Sequence, residues 1–260
     1  MPKSPVFIVG SPRSGTSILV SALSGVGYQG YREGNFLPLM QFIISAIDLH
    51  FATFAKPNPH ILVAQIDPQL LKKRVELLFK EITDNLNPAP LWFDKSGNHG
   101  MITAIPTLLR LWPTSVFIFA KRRAIENIVS RIKKFPERHF EYHCLDWARN
   151  MAAWREVREK LPVDIYLEVD QQDLIRDTEA ISSKIATFLG LENQQLEILT
   201  RTFRSRRPQE TNKGSASKTY SLEGLHWSEA KLAIFRKHCA PEMDAFGYGE
   251  GEEYYRDPQQ

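Results

Sequence analysis

The sequence predicts a three-layer α/β fold, a central parallel sheet flanked by helices on both faces. Three observations carry that expectation. Four short runs rich in β-branched or aromatic residues, at 6–9, 91–94, 115–120 and 165–168, lack the polar alternation of a half-exposed strand. Strands buried on both faces have that character. Helical patterns separate the runs, so successive strands need crossovers that lay helices on the sheet. The first run also leads through a glycine-bounded loop into an apolar helix. With 260 residues, no internal repeat and no low-complexity linker, residues 1–260 read as a single domain.

Taken in order, "VFIV" (6–9) is the first strand, "GSPRSGTS" (10–17) its loop, and 16–26 the first helix. The stretch "NFLPLMQFIISAIDLHFATFA" (35–55) holds a helix over 37–54. It is long enough to span a bilayer. Pro38, Gln41, Asp48 and His50 interrupt it, and no positive cluster flanks it, so it reads as a largely buried helix walling a pocket rather than a membrane span. A helix over 68–85 precedes the second strand (91–94), and one over 101–111 precedes the third (115–120). Helices over 124–135 and 137–161 then lead to the fourth strand (165–168). Two more follow at 178–189 and 228–246. Between them, 201–225 is a long, basic loop, of a length that is usually functional or disordered.

A hydrophobic fraction of 43% and a charged fraction of 24% are ordinary for a soluble globular protein. The net charge of +3 is too small to argue for a nucleic-acid partner, but it leaves room for a local basic pocket that takes an anionic small molecule. Cys144 and Cys239 are far apart and have no metal-ligand spacing. They argue against a disulfide framework and for a reducing cytoplasm. The apolar run at 6–9 is too short for a signal-peptide core.

The loop at 10–17 carries the chemistry. Gly10 and Gly15 have the glycine spacing of a phosphate-binding P-loop, G-x-x-x-x-G-K-[ST], but Thr16 stands where its lysine belongs. A P-loop-like nucleotide-binding fold is expected all the same. Backbone N–H groups of Gly15, Thr16 and Ser17 would open a helix at its positive end. The hydroxyls of Ser14, Thr16 and Ser17 add donors, and Arg13 adds a positive charge. After the other strands come Lys95-Ser96 and Lys121-Arg122-Arg123, at the strand ends where ligands of such sheets bind.

"PRSGTS" resembles the 5′-phosphosulfate loop, P-[KR]-[ST]-G-T-[ST], of the sulfotransferases that use 3′-phosphoadenosine 5′-phosphosulfate (PAPS). In that family an arginine after a central strand and a serine eight residues later bind the 3′-phosphate. Arg122 and Ser130 have that spacing, in "KRRAIENIVS". The family often has Arg-Asp-Pro or Arg-Asn-Ala there, and this chain has Arg122-Arg123-Ala124. "WFDKSGNH" (92–99) is similar to the family's "EKSP" segment, which makes Lys95 the counterpart of its active-site lysine; Gly97 replaces the proline. "YREGNFL" (31–37) puts Glu33 where heparan and tyrosyl-protein sulfotransferases carry a catalytic glutamate. The ending 226–248 resembles the family's terminal helix and closing Gly-Tyr. Arg204, Arg206, Arg207 and Lys213 lie in the loop that closes over the 3′-phosphate in related enzymes, and Ser217-Lys218 resembles a serine-lysine pair of the tyrosyl-protein enzymes.

The resemblance implies sulfuryl transfer from PAPS to a hydroxyl or amine of a small acceptor, with adenosine 3′,5′-bisphosphate (PAP) as product and no metal. Such a reaction is an in-line displacement in which charge grows on the bridging oxygen. Arg13 and Lys95 are the expected cations there. Glu33 is the first choice for the base and His99 the second. His50 reads as a core histidine of the apolar helix, and histidines 60, 139, 143, 226 and 238 form no metal-ligand pattern. Tyr28, Tyr31 and the helix at 37–54 suit a partly apolar acceptor. Two other readings stand beside this one. A P-loop small-molecule kinase would want lysine at position 16 and a metal-binding carboxylate such as Asp94. A non-catalytic nucleotide binder would not need Glu33 or Lys95.

Overall fold

The computed structural model describes residues 2–56, 58, 60–205 and 218–256. Its sheet is parallel throughout and built from β1 (Val6–Gly10), β2 (Gln29–Tyr31), β3 (Trp92–Lys95), β4 (Val116–Lys121) and β5 (Tyr166–Asp170), in the order β2-β3-β1-β4-β5. The helices in chain order are α1 (Thr16–Gly25), α2 (Leu37–Phe54), α3 (Pro68–Leu86), α4 (His99–Thr103), α5 (Ile105–Leu111) and α6 (Ala124–Lys134). They continue with α7 (Phe140–Arg158), α8 (Gln171–Arg176), α9 (Thr178–Leu189), α10 (Asn193–Ser205) and α11 (Glu229–Ala245).

Alternation along β1 creates two cores. Val6 and Ile8 point to one face, where they meet Leu19, Val20 and Leu23 of α1, Ile185 and Leu189 of α9 and Leu199 of α10. Phe7 and Val9 point to the other, among Met40 of α2, Ile102 of α4, Ile128 of α6, Trp147 of α7 and Phe235 of α11. Both faces of the sheet are thus covered, as the unbroken apolar runs require. The predicted α/β architecture is the observed one.

Five elements differ from the sequence reading, one of them the short helix α8, which was not expected. β2 is an added edge strand; its three residues are all exposed and form no apolar run. The helix expected over 101–111 is two, α4 and α5, with Pro106 in the first turn of α5, where its missing N–H costs nothing. Helix α10 occupies 193–205 and so takes the first five residues of the expected loop at 201–225. Helix α2 has the predicted bounds but is not largely buried. Only Leu37, Pro38, Met40 and Ile44 are buried, because α2 packs against α3 and α4 and leaves the rest of its surface uncovered. Leu39, Phe42, Leu49 and Phe54 are exposed. By length and a mean hydropathy of 1.4 alone, α2 could cross a membrane.

The connectivity sets the position of the site. From β1 the chain fills one side of the sheet with β3 and β2, then crosses to lay β4 and β5 on the other. Ligands of open α/β sheets bind at this reversal, beyond the carboxyl ends of the strands. Gly10 ends β1 opposite Ala120 of β4 at φ 142°, and a Cβ there would collide with the Ala120 carbonyl oxygen. Only glycine lets the chain leave the sheet at this point.

Candidate active site

The loop after β1 turns through Arg13, which has a left-handed φ of 72°, and Gly15 at φ 91°, and then enters α1. No side chain caps this end of α1, so the first N–H groups of Thr16 and Ser17 and the positive end of the helix dipole face the loop. Helix α6 braces the loop from behind. The Asn127 amide donates to the Pro12 carbonyl and to the Ser14 hydroxyl, each at 3.0 Å. Arg131 donates to the Ser11 hydroxyl at 2.7 Å and pairs with Asp146 at 2.7 Å. The Ser14 side chain is therefore buried and engaged with Asn127, while Ser17 is partly exposed.

Three consecutive cations leave β4 and part company. Lys121 pairs with Glu168 at 2.7 Å. Arg123 is fully buried on Glu126 and also donates to the carbonyls of Tyr220, Gly249, Gly251 and Glu253. Arg122 turns to the loop, where it donates to the Arg13 carbonyl at 3.3 Å. Among the described residues its buried Nε has no hydrogen-bond partner and its guanidinium no ion pair. Beside it, Arg13 Nε donates to the Ser130 hydroxyl at 2.9 Å. Arg13, Arg122 and Ser130 thus form one corner. Burial lowers the Arg13 pKa, and so do the neighbouring charges of Arg122 and Arg131. Burial lowers that of Arg122 too, against the pull of Tyr254, Glu126 and Asp170. Cations crowded out of water in this way are relieved by an anion.

On the other side of β1, Ile8 pairs with Lys95 of β3. The Lys95 ammonium is nearly buried and lies 2.5 Å from the exposed carboxylate of Glu33. The next turn passes close to the phosphate-type loop, where the Cβ position of Gly97 is 3.4 Å from the Gly10 carbonyl oxygen. Asn98 caps α4 by accepting from Met101 N–H. His99 is the first residue of α4, exposed, and its ring has no hydrogen-bond partner among the described residues. Phe42 of α2 comes within 3.7 Å of the Cβ position of Gly100, so an apolar ring borders this mouth.

A family model described as "Sulfotransferase family" matches residues 5–195. The chain belongs to the sulfotransferase family. A relative from Aquifex aeolicus (strain VF5), described as an uncharacterized protein, is 24% identical over 272 residues, covering 99% of this chain. The match covers 34% of the relative, so this sulfotransferase-family chain spans about a third of its length. Among solved structures, the sulfotransferase domain from the Synechococcus PCC 7002 olefin synthase is 19% identical with a TM-score of 0.58, covering 95% of this chain and 96% of that one. A retinol dehydratase in complex with retinol and PAP is 12% identical with a TM-score of 0.50, covering 94% and 82%. At these identities the likeness is one of fold.

In this sulfotransferase-family chain, Arg13, Ser14, Gly15, Thr16, Ser17, Arg122 and Ser130 come together around one loop, and Glu33 and Lys95 touch each other at the adjacent strand end. Arg207 and Lys213, like Arg206 and Ser217, lie outside the described residues. Arg204 is not in a loop: it sits in α10, exposed and paired with Glu179. The sequence reading missed Asn127 and Arg131. Their signal was available, since positions 123, 127, 130 and 131 share one face of α6.

Proposed function

We propose that this chain transfers the sulfuryl group of PAPS to a hydroxyl or amine of a small, partly apolar acceptor without a metal. The corner formed by Arg13, Arg122 and Ser130 carries the reading. It holds a buried guanidinium whose Nε has no partner among the described residues, set beside an uncapped helix start. Two anionic groups on one ligand would satisfy both. The PAP held by the retinol dehydratase neighbour supports this choice.

In this reading the N–H groups of Gly15, Thr16 and Ser17 bind the 5′ end, and Arg122 and Ser130 bind the 3′-phosphate with a charge-assisted fork and a hydroxyl. PAPS supplies an activated sulfuryl group whose bridging oxygen gains negative charge as transfer proceeds. Lys95 and Arg13 stabilise that charge. The resemblance assigns Arg207 and Lys213, which lie outside the described residues, to the 3′-phosphate as well. Glu33, on the solvent side of Lys95, accepts the acceptor's proton, with His99 as the second choice. Leu39 and Phe42, exposed beside the buried Leu37, Pro38 and Met40 of α2, offer an apolar wall to the acceptor.

The test is a titration with PAP, AMP and ATP in the absence of magnesium, followed by transfer from [35S]PAPS to a panel of alcohols and amines with apolar substituents. Tighter binding of PAP than of AMP or ATP, and labelled product, are expected. Equal affinity for PAP and AMP would overturn the reading.

A further inference from the structure

The carboxylate next to Lys95 has no part in the mechanism above, yet it is buried at the site. Asp94 lies opposite Tyr31 across the β2–β3 pair and is 8% exposed. Its Oδ1 accepts from the Ser96 hydroxyl at 3.0 Å, and the same hydroxyl accepts from the Asn35 backbone N–H at 2.9 Å. Between these contacts the Gly34 N–H donates to the Lys95 carbonyl at 2.9 Å. A side chain at Gly34 would run into the Asp94 carboxylate. Asn35 then turns through a left-handed φ of 51° before α2 begins. Residues 33–35 are thus tied to the end of β3, Gly34 by a backbone bond to Lys95 and Asn35 by a side-chain chain ending on a buried carboxylate.

We propose that Asp94 and Ser96 are positioning residues that set the aim of Glu33. The Ser96 hydroxyl has one donor, which Asp94 takes, and this leaves its lone pairs to receive the Asn35 N–H. Asp94 thereby orients the hydroxyl, the hydroxyl fixes the backbone at Asn35, and Glu33 is held against Lys95. Burial pushes the Asp94 carboxyl up to about 6, while the Ser96 hydrogen bond and Lys95 pull it down. A buried carboxylate kept at such a cost is consistent with a role beyond packing. The inference rests on the reading of Glu33 as the base.

Ser96→Ala, Asp94→Asn and Glu33→Gln, singly and combined, test it. The readouts are amide hydrogen exchange at Asn35, PAP affinity, and kcat with [35S]PAPS and the best acceptor of the panel. Ser96→Ala is expected to speed exchange at Asn35 and lower kcat by roughly ten- to a hundredfold, with PAP affinity within about twofold. Asp94→Asn keeps an acceptor oxygen for Ser96 and should retain most of kcat. In the Glu33→Gln background Ser96→Ala should cost nothing more, because it acts through Glu33. An unchanged kcat in Ser96→Ala, an equal loss of PAP affinity, or a full further loss on top of Glu33→Gln would overturn the inference while leaving the donor reading intact. A Glu33→Gln enzyme with wild-type kcat would remove its premise.

Discussion

Arg122→Ala is expected to weaken PAP by roughly 1.5–3 kcal/mol and to leave AMP almost unchanged, since a charge-assisted fork is lost only where a 3′-phosphate exists. Calorimetric titration of both nucleotides against the variant checks it, and a parallel loss would make Arg122 a general electrostatic residue. Asp94 gives a second prediction. Its folded pKa of about 6 lies above the ordinary 3.8, so the folded chain holds a proton between these values that the unfolded chain releases. Stability therefore rises as pH falls through 6, and the penalty is complete above it. The difference is about 3 kcal/mol. Asp94→Asn should unfold at a higher denaturant concentration than the wild type at pH 7.5, with the gain vanishing near pH 4. Equal midpoints at both pH values would show that Asp94 is not the group responsible. At this scale the sequence was legible in which residues gather, since the loop at 10–17, Arg122 and Ser130 meet at one corner. The spacing to Ser130 picked Arg122 of the two adjacent arginines, but gave no sign of what holds Arg123 away from the loop. Glu126 and four carbonyls from residues 220–253 capture it.

Among the elements, β1 depends most on one residue. Gly10→Ala would place a methyl against the Ala120 carbonyl at a φ of 142°, so the β1–β4 ladder must shift at the point where the loop departs. The expected loss is more than about 3 kcal/mol of stability, or failure to fold, read by thermal melting beside a Gly27→Ala control. Gly27 also has a positive φ but has open space around it. A loss no larger than the control's would mean that only φ matters. Buried strands and long helices were legible because burial on both faces leaves a continuous apolar signature, and α9 has its predicted bounds. Strand β2 left none, being three exposed residues held by pairing to one neighbour. The exposure of α2 was illegible for the opposite reason. Its sequence is apolar all round, and apolarity does not say which side a neighbour covers.

Across the whole molecule, Arg123 joins the ends of the chain's second half. Its guanidinium ties the start of α6 to Tyr220 and to the carbonyls at 249–253, and its N–H donates to the Tyr254 hydroxyl. Arg123→Met would leave the Glu126 carboxylate buried beside Arg122 without its ion pair, at a cost of roughly 3–5 kcal/mol. Limited proteolysis should then cut the segment at 249–256 first. Resistance equal to the wild type's would show that the tyrosines alone hold it. The sheet order has a separate consequence. Gly10, Lys95 and Lys121 end the three inner strands, locked by pairing on both sides, whereas Glu33 and the exposed Leu39 and Phe42 of α2 follow the edge strand β2. Under the proposed function, the grip on the donor is built into the keel of the molecule and the face shown to the acceptor into its outrigger. On that reading, replacing residues 28–90 is expected to change the acceptor that is accepted while leaving PAP affinity unchanged.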